Sequence, residues 1–184
     1  MSQGGKLLIT GTGRAGTTFI MRLLTLLGFN TGYDPNRLDS YIGSRCKAGM
    51  EKNVNDFNSL DVVKSPWLYK DIPTIHKMFN NLEVLVPIRD IRKAAESRVR
   101  IGRGDGGLWH ANSLEEQIEF YNEVLKVIER NCAELNIEVI YIEFEKFTVD
   151  VQYCYDMLNQ LTLFQEVNYE DFIKAYQVAS DIYK

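Results

Sequence analysis

The segment Gly11-Thr-Gly-Arg-Ala-Gly-Thr-Thr18 lies between a short apolar run and a stretch with helical periodicity. The apolar run, residues 6–10, is typical of a buried strand, and residues 17–27 carry apolar side chains at helical spacing. Glycines let the chain turn tightly, so successive N–H groups converge at the start of the helix, where the partial positive charge favours anions. The order of strand, glycine loop and helix therefore predicts a phosphate-binding loop.

This loop differs at one position from the P-loop of nucleotide-hydrolysing proteins. Its glycines have the same GxxxxG spacing, but Thr17 stands where those proteins carry a lysine. A cation is still present, because Arg14 lies inside the loop. The sequence thus keeps the anion site and lacks the lysine that serves phosphoryl transfer.

The rest of the chain alternates between predicted strands and predicted helices. Further strands are predicted at 60–64, 82–88 and 138–144, and further helices at 71–79, 91–101, 113–135, 149–161 and 169–183. Residues 30–60 are polar and weakly periodic, so a short helix or an active-site lid is expected there. Pro87 indicates an edge strand or a strand terminus. The alternation predicts one α/β domain over residues 1–184, a three-layer α/β/α fold of the P-loop nucleotide-binding type with a mainly parallel sheet.

A basic segment follows the predicted strand at 82–88. Residues 89–103 hold six cations and two acids, whereas the whole chain has a net charge of −4. Lys93 and Arg100 fit a solvated helix face, on which opposite charges pair at helical spacing. Arg89 differs because it ends a predicted parallel strand, and open α/β sheets bind ligands at the carboxyl edge. We therefore predict that Arg89 contacts an anionic ligand.

Together these two segments resemble the family of sulfotransferases that use 3′-phosphoadenosine 5′-phosphosulfate (PAPS). Residues 13–18 are similar to the family's 5′-phosphosulfate loop, G-R-S-G-T-[ST], with Ala15 in place of serine. Residues 84–92 resemble its 3′-phosphate motif, in which a serine follows the strand-ending arginine by eight residues, as Ser97 follows Arg89. Residues 62–66 are similar to the strand whose lysine approaches the transferred group.

The resemblance implies transfer of a sulfuryl group from PAPS to a hydroxyl or amine, with release of adenosine 3′,5′-bisphosphate (PAP) and no metal ion. It implies that Arg14 and Lys64 stabilise the charge on the leaving oxygen. The glycine-rich loop at 102–108 resembles one that covers the 3′-phosphate in cytosolic members. The residues expected to bind the cofactor are Gly13, Arg14, Ala15, Gly16, Thr17, Thr18, Arg89, Ser97 and Arg103.

The acceptor needs a general base, for which several side chains are candidates. Family members often place a carboxylate soon after the first helix, which makes Asp34 the first choice, followed by Asp39 and Glu51. His110 has a suitable unperturbed pKa, and His76 ranks below it. Trp109 is expected either to stack on the adenine or to pack in the core.

Composition argues against several other classes of function. A net charge of −4 disfavours a nucleic-acid binder, and no apolar run approaches the roughly 20 residues that span a bilayer. The start of the chain lacks a signal-peptide pattern, and the three widely spaced cysteines argue against a zinc site. We expect a cytoplasmic enzyme with a small-molecule or carbohydrate acceptor, and with no nucleic-acid, membrane or metal partner.

Two alternatives stay open at the level of sequence. A metal-dependent P-loop nucleotide kinase or hydrolase would explain the glycine loop, and Asp90 would then serve as its metal-binding carboxylate. A catalytically inactive nucleotide-binding module would bind phosphate equally well. The identity of the acceptor and the oligomeric state do not follow from the sequence.

Overall fold

A four-stranded parallel sheet forms the centre of the computed structural model, which describes residues 5–43, 46–102 and 107–181. The strands run in the order β2-β1-β3-β4, and each neighbouring pair is parallel. Their bounds are β1 Lys6–Ile9, β2 Val62–Lys64, β3 Leu82–Ile88 and β4 Val139–Glu143. Because parallel neighbours need crossover connections, helices link the strands.

Six of the α-helices in the described ranges match predicted helices, with ends that are the same or shorter, whereas the short helix α5 was not predicted. They are α1 Thr17–Leu26, α2 Ile72–Met78, α3 Ile91–Ile101, α4 Leu114–Glu134, α5 Phe144–Phe147, α6 Val151–Leu158 and α7 Tyr169–Ser180. At the start of α4, the Ser113 hydroxyl accepts from the N–H of Glu116 at 3.1 Å. The Glu116 carboxylate reaches the N–H of Asn112, one residue before the cap.

Side chains of the sheet alternate between two apolar clusters, one on each face. Leu7 and Ile9 of β1 pack with α1, α6 and α7, whereas Leu8 packs with α2 and α4. In β3, Leu85 joins the first cluster and Val84 the second. Because successive side chains of a strand point to opposite faces, each strand serves both clusters. The predicted three-layer α/β/α arrangement is confirmed.

Pro87 lies near the end of an internal strand, which excludes one of the two positions expected for it. β3 lies between β1 and β4, so this proline does not mark an edge strand. It is the penultimate residue of β3 and stands in register with Ile142 of β4. Proline removes only its own N–H from the ladder, and near a strand end an internal strand tolerates that loss. The other half of the expectation, a strand terminus, is confirmed.

The polar segment at 30–60 packs against α1 and contains two 3₁₀ helices, Pro35–Tyr41 and Val54–Asn58. Leu38 and Met50 from this segment are buried in the cluster that includes α1. Arg22 of α1 donates to Asp39 at 2.7 Å. The expected short helical structure is therefore present, beside the helix that follows the glycine loop. None of the helices in the described ranges has the length and apolarity needed to cross a membrane.

Gly16 is expected to tolerate replacement poorly. It has φ +83°, and a Cβ atom built on it would lie 2.5 Å from Phe147 Cζ and 2.7 Å from Phe144 Cδ2. We expect Gly16→Ala to lower the free energy of unfolding by about 2–4 kcal/mol, because backbone strain adds to overpacking. Urea unfolding followed by circular dichroism measures the loss.

Gly28→Ala is the matched control. Gly28 has φ +87°, but nothing lies within 4 Å of a Cβ atom built on it. We expect this change to cost only the backbone strain, about 1 kcal/mol. Equal losses for the two variants would contradict the idea that the Phe144 and Phe147 rings constrain the loop.

Candidate functional site

The glycine loop connects the carboxyl end of β1 to α1. Gly16 occupies the N-cap position of α1 and provides no side-chain cap. Ala15, Thr17 and Thr18 are buried beside it, so the loop is held in place by packing. An uncapped helix start has N–H groups available for an anion. The predicted order of strand, glycine loop and helix is therefore present, and phosphate binding by the loop stays a prediction.

The loop meets the basic segment through direct side-chain contacts. Arg14 donates from Nε and Nη2 to the Ser97 hydroxyl at 3.2 and 3.1 Å, across 83 residues of sequence. Arg89 Nη1 donates to the carbonyl oxygen of Arg14 at 3.2 Å, across 75 residues. Arg14 and Ser97 also line a cleft of about 330 Å³ with Arg100 and Ile101. The structure thus brings the two sequence motifs to one place.

Positive charge is concentrated at this junction. Burial lowers the pKa of Arg14, and the neighbouring guanidinium groups of Arg98 and Arg89 lower it as well. Among the described residues, one carboxylate forms an ion pair with these three arginines. It belongs to Glu145, whose Oε1 lies 3.6 Å from Arg89 Nε. That Nε is buried and makes no hydrogen bond within the described ranges. Three arginines and one carboxylate form a site that fits an anionic ligand.

A buried ion pair lies beside the start of α1. Lys64 is 1% exposed, and its Nζ donates to Glu51 Oε1 at 2.6 Å, to Thr18 Oγ1 at 3.4 Å and to the carbonyl of Gly49. Burial lowers the pKa of Lys64, and the Glu51 carboxylate opposes this shift. A lysine and a carboxylate therefore stand together next to the glycine loop.

The three candidate carboxylates occupy different environments. Asp34 is exposed and accepts from the N–H of Asn36 at 2.9 Å, so it caps the helix Pro35–Tyr41. Asp39 pairs with Arg22 of α1. Glu51 is the one that contacts Lys64. The ranking Asp34 before Glu51 stays a prediction from sequence, and the contacts favour Glu51.

The two histidines lie apart from each other. His76 lines a cavity of about 190 Å³ with Leu82 of β3 and Glu138, next to the amino ends of β3 and β4, whereas the glycine loop follows the carboxyl end of β1. His110 is exposed and stacks at an angle on Trp67. Trp109 is 7% exposed and lies under the guanidinium of Arg98, which is core packing.

Two further expectations concern the basic segment. Arg103 lies outside the described residues. Asp90 is exposed and accepts from the N–H of Lys93 at 2.8 Å, so its carboxylate caps α3. A helix cap explains this residue without the metal-binding role that a P-loop kinase would require. No cluster of three or more potential metal-ligating side chains occurs among the described residues.

Arg98 is the residue of this site that the sequence analysis missed. The sequence carried a signal for it: Ile91, Ala94, Ala95 and Arg98 fall at the i, i+3, i+4 and i+7 positions of α3, which form one face. An arginine on the apolar face of a helix is expected to be buried. The sequence analysis counted Arg98 among the six cations of the basic segment but assigned it no role.

Comparison with solved structures identifies the fold. A sulfotransferase domain from the curacin biosynthetic pathway superposes with a TM-score of 0.56 and 19% identity, over 96% of this chain and 79% of that one. The chain has a sulfotransferase-type fold. A sulfotransferase domain from the olefin synthase of Synechococcus PCC 7002 is also similar, with a TM-score of 0.52 and 13% identity. This match likewise covers 96% of this chain and 79% of that one. No protein-family model matches the sequence, and no curated protein matches it either.

The Lys64–Glu51 pair is expected to contribute to stability. We expect Glu51→Gln to lower the free energy of unfolding by about 1–3 kcal/mol at pH 7, because it leaves a buried ammonium without its partner. The loss is smaller than for a fully buried pair, since the Glu51 side chain is 40% exposed. Asp61→Asn, which removes the partner of the more exposed Lys6, is the control and is expected to cost less than about 1 kcal/mol.

The loss caused by Glu51→Gln is expected to shrink as the pH rises. Unfolded Lys64 keeps its proton up to a pKa of about 10.5, whereas the folded chain releases it at lower pH. Without Glu51 the pKa of Lys64 in the folded chain falls further. Unfolding of the variant therefore takes up a proton over a wider range of pH, and within that range the free energy of unfolding rises with pH. Urea unfolding at several pH values from neutral to alkaline measures this. A loss that is constant with pH would show that the Lys64 charge is not its cause.

Proposed function

We propose that the protein transfers a sulfuryl group from PAPS to a hydroxyl or amine acceptor and releases PAP. The observation that carries the proposal is the contact of Arg14 with Ser97, which joins the loop expected at the 5′ end of the donor to the motif expected at its 3′ end. The sulfotransferase-type fold supports it. A small-molecule or carbohydrate acceptor and a cytoplasmic location remain predictions from the sequence.

The residues at the junction fit an anionic nucleotide. The donor supplies the sulfuryl group on a phosphosulfate and carries a second phosphate at its 3′ position. In the proposal, Arg89 and Ser97 hold the 3′-phosphate, and the loop from Gly13 to Thr18 holds the phosphosulfate with its N–H groups. The assignment is supported by the Nε of Arg89, which makes no hydrogen bond among the described residues, and by the excess of arginine over carboxylate there.

Lys64 is proposed to stabilise the oxygen that acquires charge during transfer. Its ammonium lies next to Thr18 at the start of α1, which is where the loop would hold the phosphosulfate. Glu51 raises the pKa of Lys64 against the effect of burial, so the pair favours the charged ammonium. Electrostatic groups that are already in place cost little reorganisation when charge develops.

Glu51 is proposed as the general base, in preference to Asp34. It contacts Lys64, and its 40% exposure leaves room for an acceptor to approach. The proton of the acceptor hydroxyl or amine would pass to a Glu51 carboxylate oxygen. Asp34 instead caps the helix Pro35–Tyr41, where its carboxylate accepts from the N–H of Asn36.

Calorimetric titration tests the choice of cofactor. We expect PAP to bind without Mg²⁺ and more tightly than AMP or ATP. Arg89→Ala is expected to weaken PAP binding by about 2–3 kcal/mol, because a charge-assisted contact is lost, and to change AMP binding little. Lys93→Ala, which removes an exposed cation of the neighbouring helix α3, is the control. Preference for Mg-ATP, or no binding of PAP, would favour the kinase or the inactive module.

Turnover with a sulfate acceptor tests the catalytic assignments. We expect Glu51→Gln to reduce kcat by about 10²–10⁴-fold, as for the loss of a general base, with little change in PAP affinity. Lys64→Ala is likewise expected to reduce kcat far more than PAP affinity. Asp34→Asn is the matched carboxylate control and is expected to keep the wild-type kcat. The reverse result, an inactive Asp34→Asn and an active Glu51→Gln, would restore Asp34 as the base.

A further inference from the structure

Arg98 is a buried cation within a small apolar cluster. It is 7% exposed and lies over the rings of Trp109 and Tyr121, at 5.0 and 5.7 Å from their centroids. Its Nε donates to the Tyr121 hydroxyl, and its Nη1 donates to the carbonyl of Gly107 at 2.6 Å. These contacts fix the position and the orientation of the guanidinium plane.

Within the described residues, no acid balances the charge of Arg98. Both of its hydrogen-bond acceptors are neutral oxygens, and no carboxylate within the described ranges forms an ion pair with it. Arginine stays protonated even when buried, so the fold cannot relieve this charge by deprotonation. Buried charges in proteins are usually paired or bind a ligand. The arrangement therefore has the features of a site for an anion.

One nitrogen of Arg98 lies at the glycine loop. Nη2 is 2.6 Å from the position of a Cβ atom built on Gly13, so a side chain there would collide with it. Nη2 makes no hydrogen bond within the described part of the chain, unlike Nε and Nη1. Nε and Nη1 thus fix the guanidinium by hydrogen bonds, whereas Nη2 lies beside the glycine loop, where a phosphate group would bind.

We propose that Arg98 is a third arginine of the anion site, and that its Nη2 binds the phosphate or sulfate group held in the glycine loop. The identity of this ligand as the 5′ end of PAPS rests on the proposed function. The position of Arg98 beside Gly13 separates its role from that of Arg89, which is assigned to the 3′-phosphate. Neighbouring residues of α3, Ser97 and Arg98, would then serve opposite ends of one donor.

The experiment compares nucleotides that lack one phosphate or the other. The test variant is Arg98→Met with Tyr121→Phe, which removes the charge and also the hydroxyl that would otherwise lose its partner. We expect it to weaken the binding of PAP and of AMP by about 10- to 100-fold, the usual loss for a hydrogen bond to a charged group. Binding of adenosine 3′-monophosphate, which has no 5′-phosphate, is expected to stay within about threefold, as for a residue that does not touch the ligand.

Three controls separate the charge from the packing. Tyr121→Phe alone keeps the guanidinium and loses only one of its anchors, so PAP affinity is expected to stay close to wild type. Lys93→Met removes a cation from an exposed position of the same helix and measures the effect of net charge alone. Arg98→Lys keeps the charge and is expected to restore part of the PAP affinity. A double variant that binds PAP like wild type, or that loses adenosine 3′-monophosphate equally, would overturn the proposal.

Inorganic pyrophosphate separates this inference from the proposed function. It is compared with sodium chloride at equal ionic strength, and the thermal unfolding midpoint is measured. We expect pyrophosphate to raise the midpoint of the wild type and of Lys93→Met, but not that of the double variant. If PAP does not bind but pyrophosphate still raises the midpoint in this way, the anion site at Arg98 is supported and the sulfotransferase proposal is wrong. If pyrophosphate does not stabilise the wild type, the proposal for Arg98 is wrong.

Discussion

The parallel pairing of β1 with β3 is the constraint on which the site depends. Ile9 stands in register with Leu85, and the N–H of Thr10 donates to the carbonyl of Leu85 at 3.1 Å. Because parallel strands end at the same edge, the glycine loop after β1 and Arg89 after β3 emerge side by side. The contacts among Arg14, Arg89 and Ser97 follow from this pairing, although long stretches of sequence separate them. The helices on both faces hold the two strands in register.

Among the described residues, the same edge gathers more arginines than carboxylates. Arg89 Nη1 contacts the carbonyl of Arg14, Arg98 Nη2 lies beside Gly13, and both guanidinium groups lower the pKa of Arg14. Like charges at short distance in a partly buried region are unfavourable without a counterion. An anionic ligand that binds the folded chain alone would relieve this repulsion and stabilise the fold by mass action. Ligand affinity and fold stability are therefore coupled at this site.

The sequence predicted the sheet and the glycine loop well, because both rest on local patterns. Apolar runs, helical periodicity and glycine spacing are properties of neighbouring residues, and they gave the element order correctly. For Pro87 the sequence allowed either an edge strand or a strand terminus. It could not decide between them, because the order of strands in a sheet depends on contacts between residues that are distant in sequence. The contact of Glu51 with Lys64 could not be predicted from the sequence for a related reason. It joins a weakly periodic segment to a strand, and only the folded backbone shows that they meet. Arg98 was within reach, since its helix position is readable from the sequence.

The segment from Cys46 to Glu51 touches both halves of the site. The carbonyl of Cys46 accepts from Arg14, the carbonyl of Gly49 accepts from Lys64, and Glu51 completes the contacts of that lysine. Two backbone oxygens thus occupy donor groups of cations that the proposed function assigns to the phosphosulfate. In the proposed function, an arriving phosphosulfate would compete with these carbonyls for the same N–H groups, and Glu51 lies only two residues beyond Gly49. The donor pocket and the proposed base are therefore joined by one short stretch of chain.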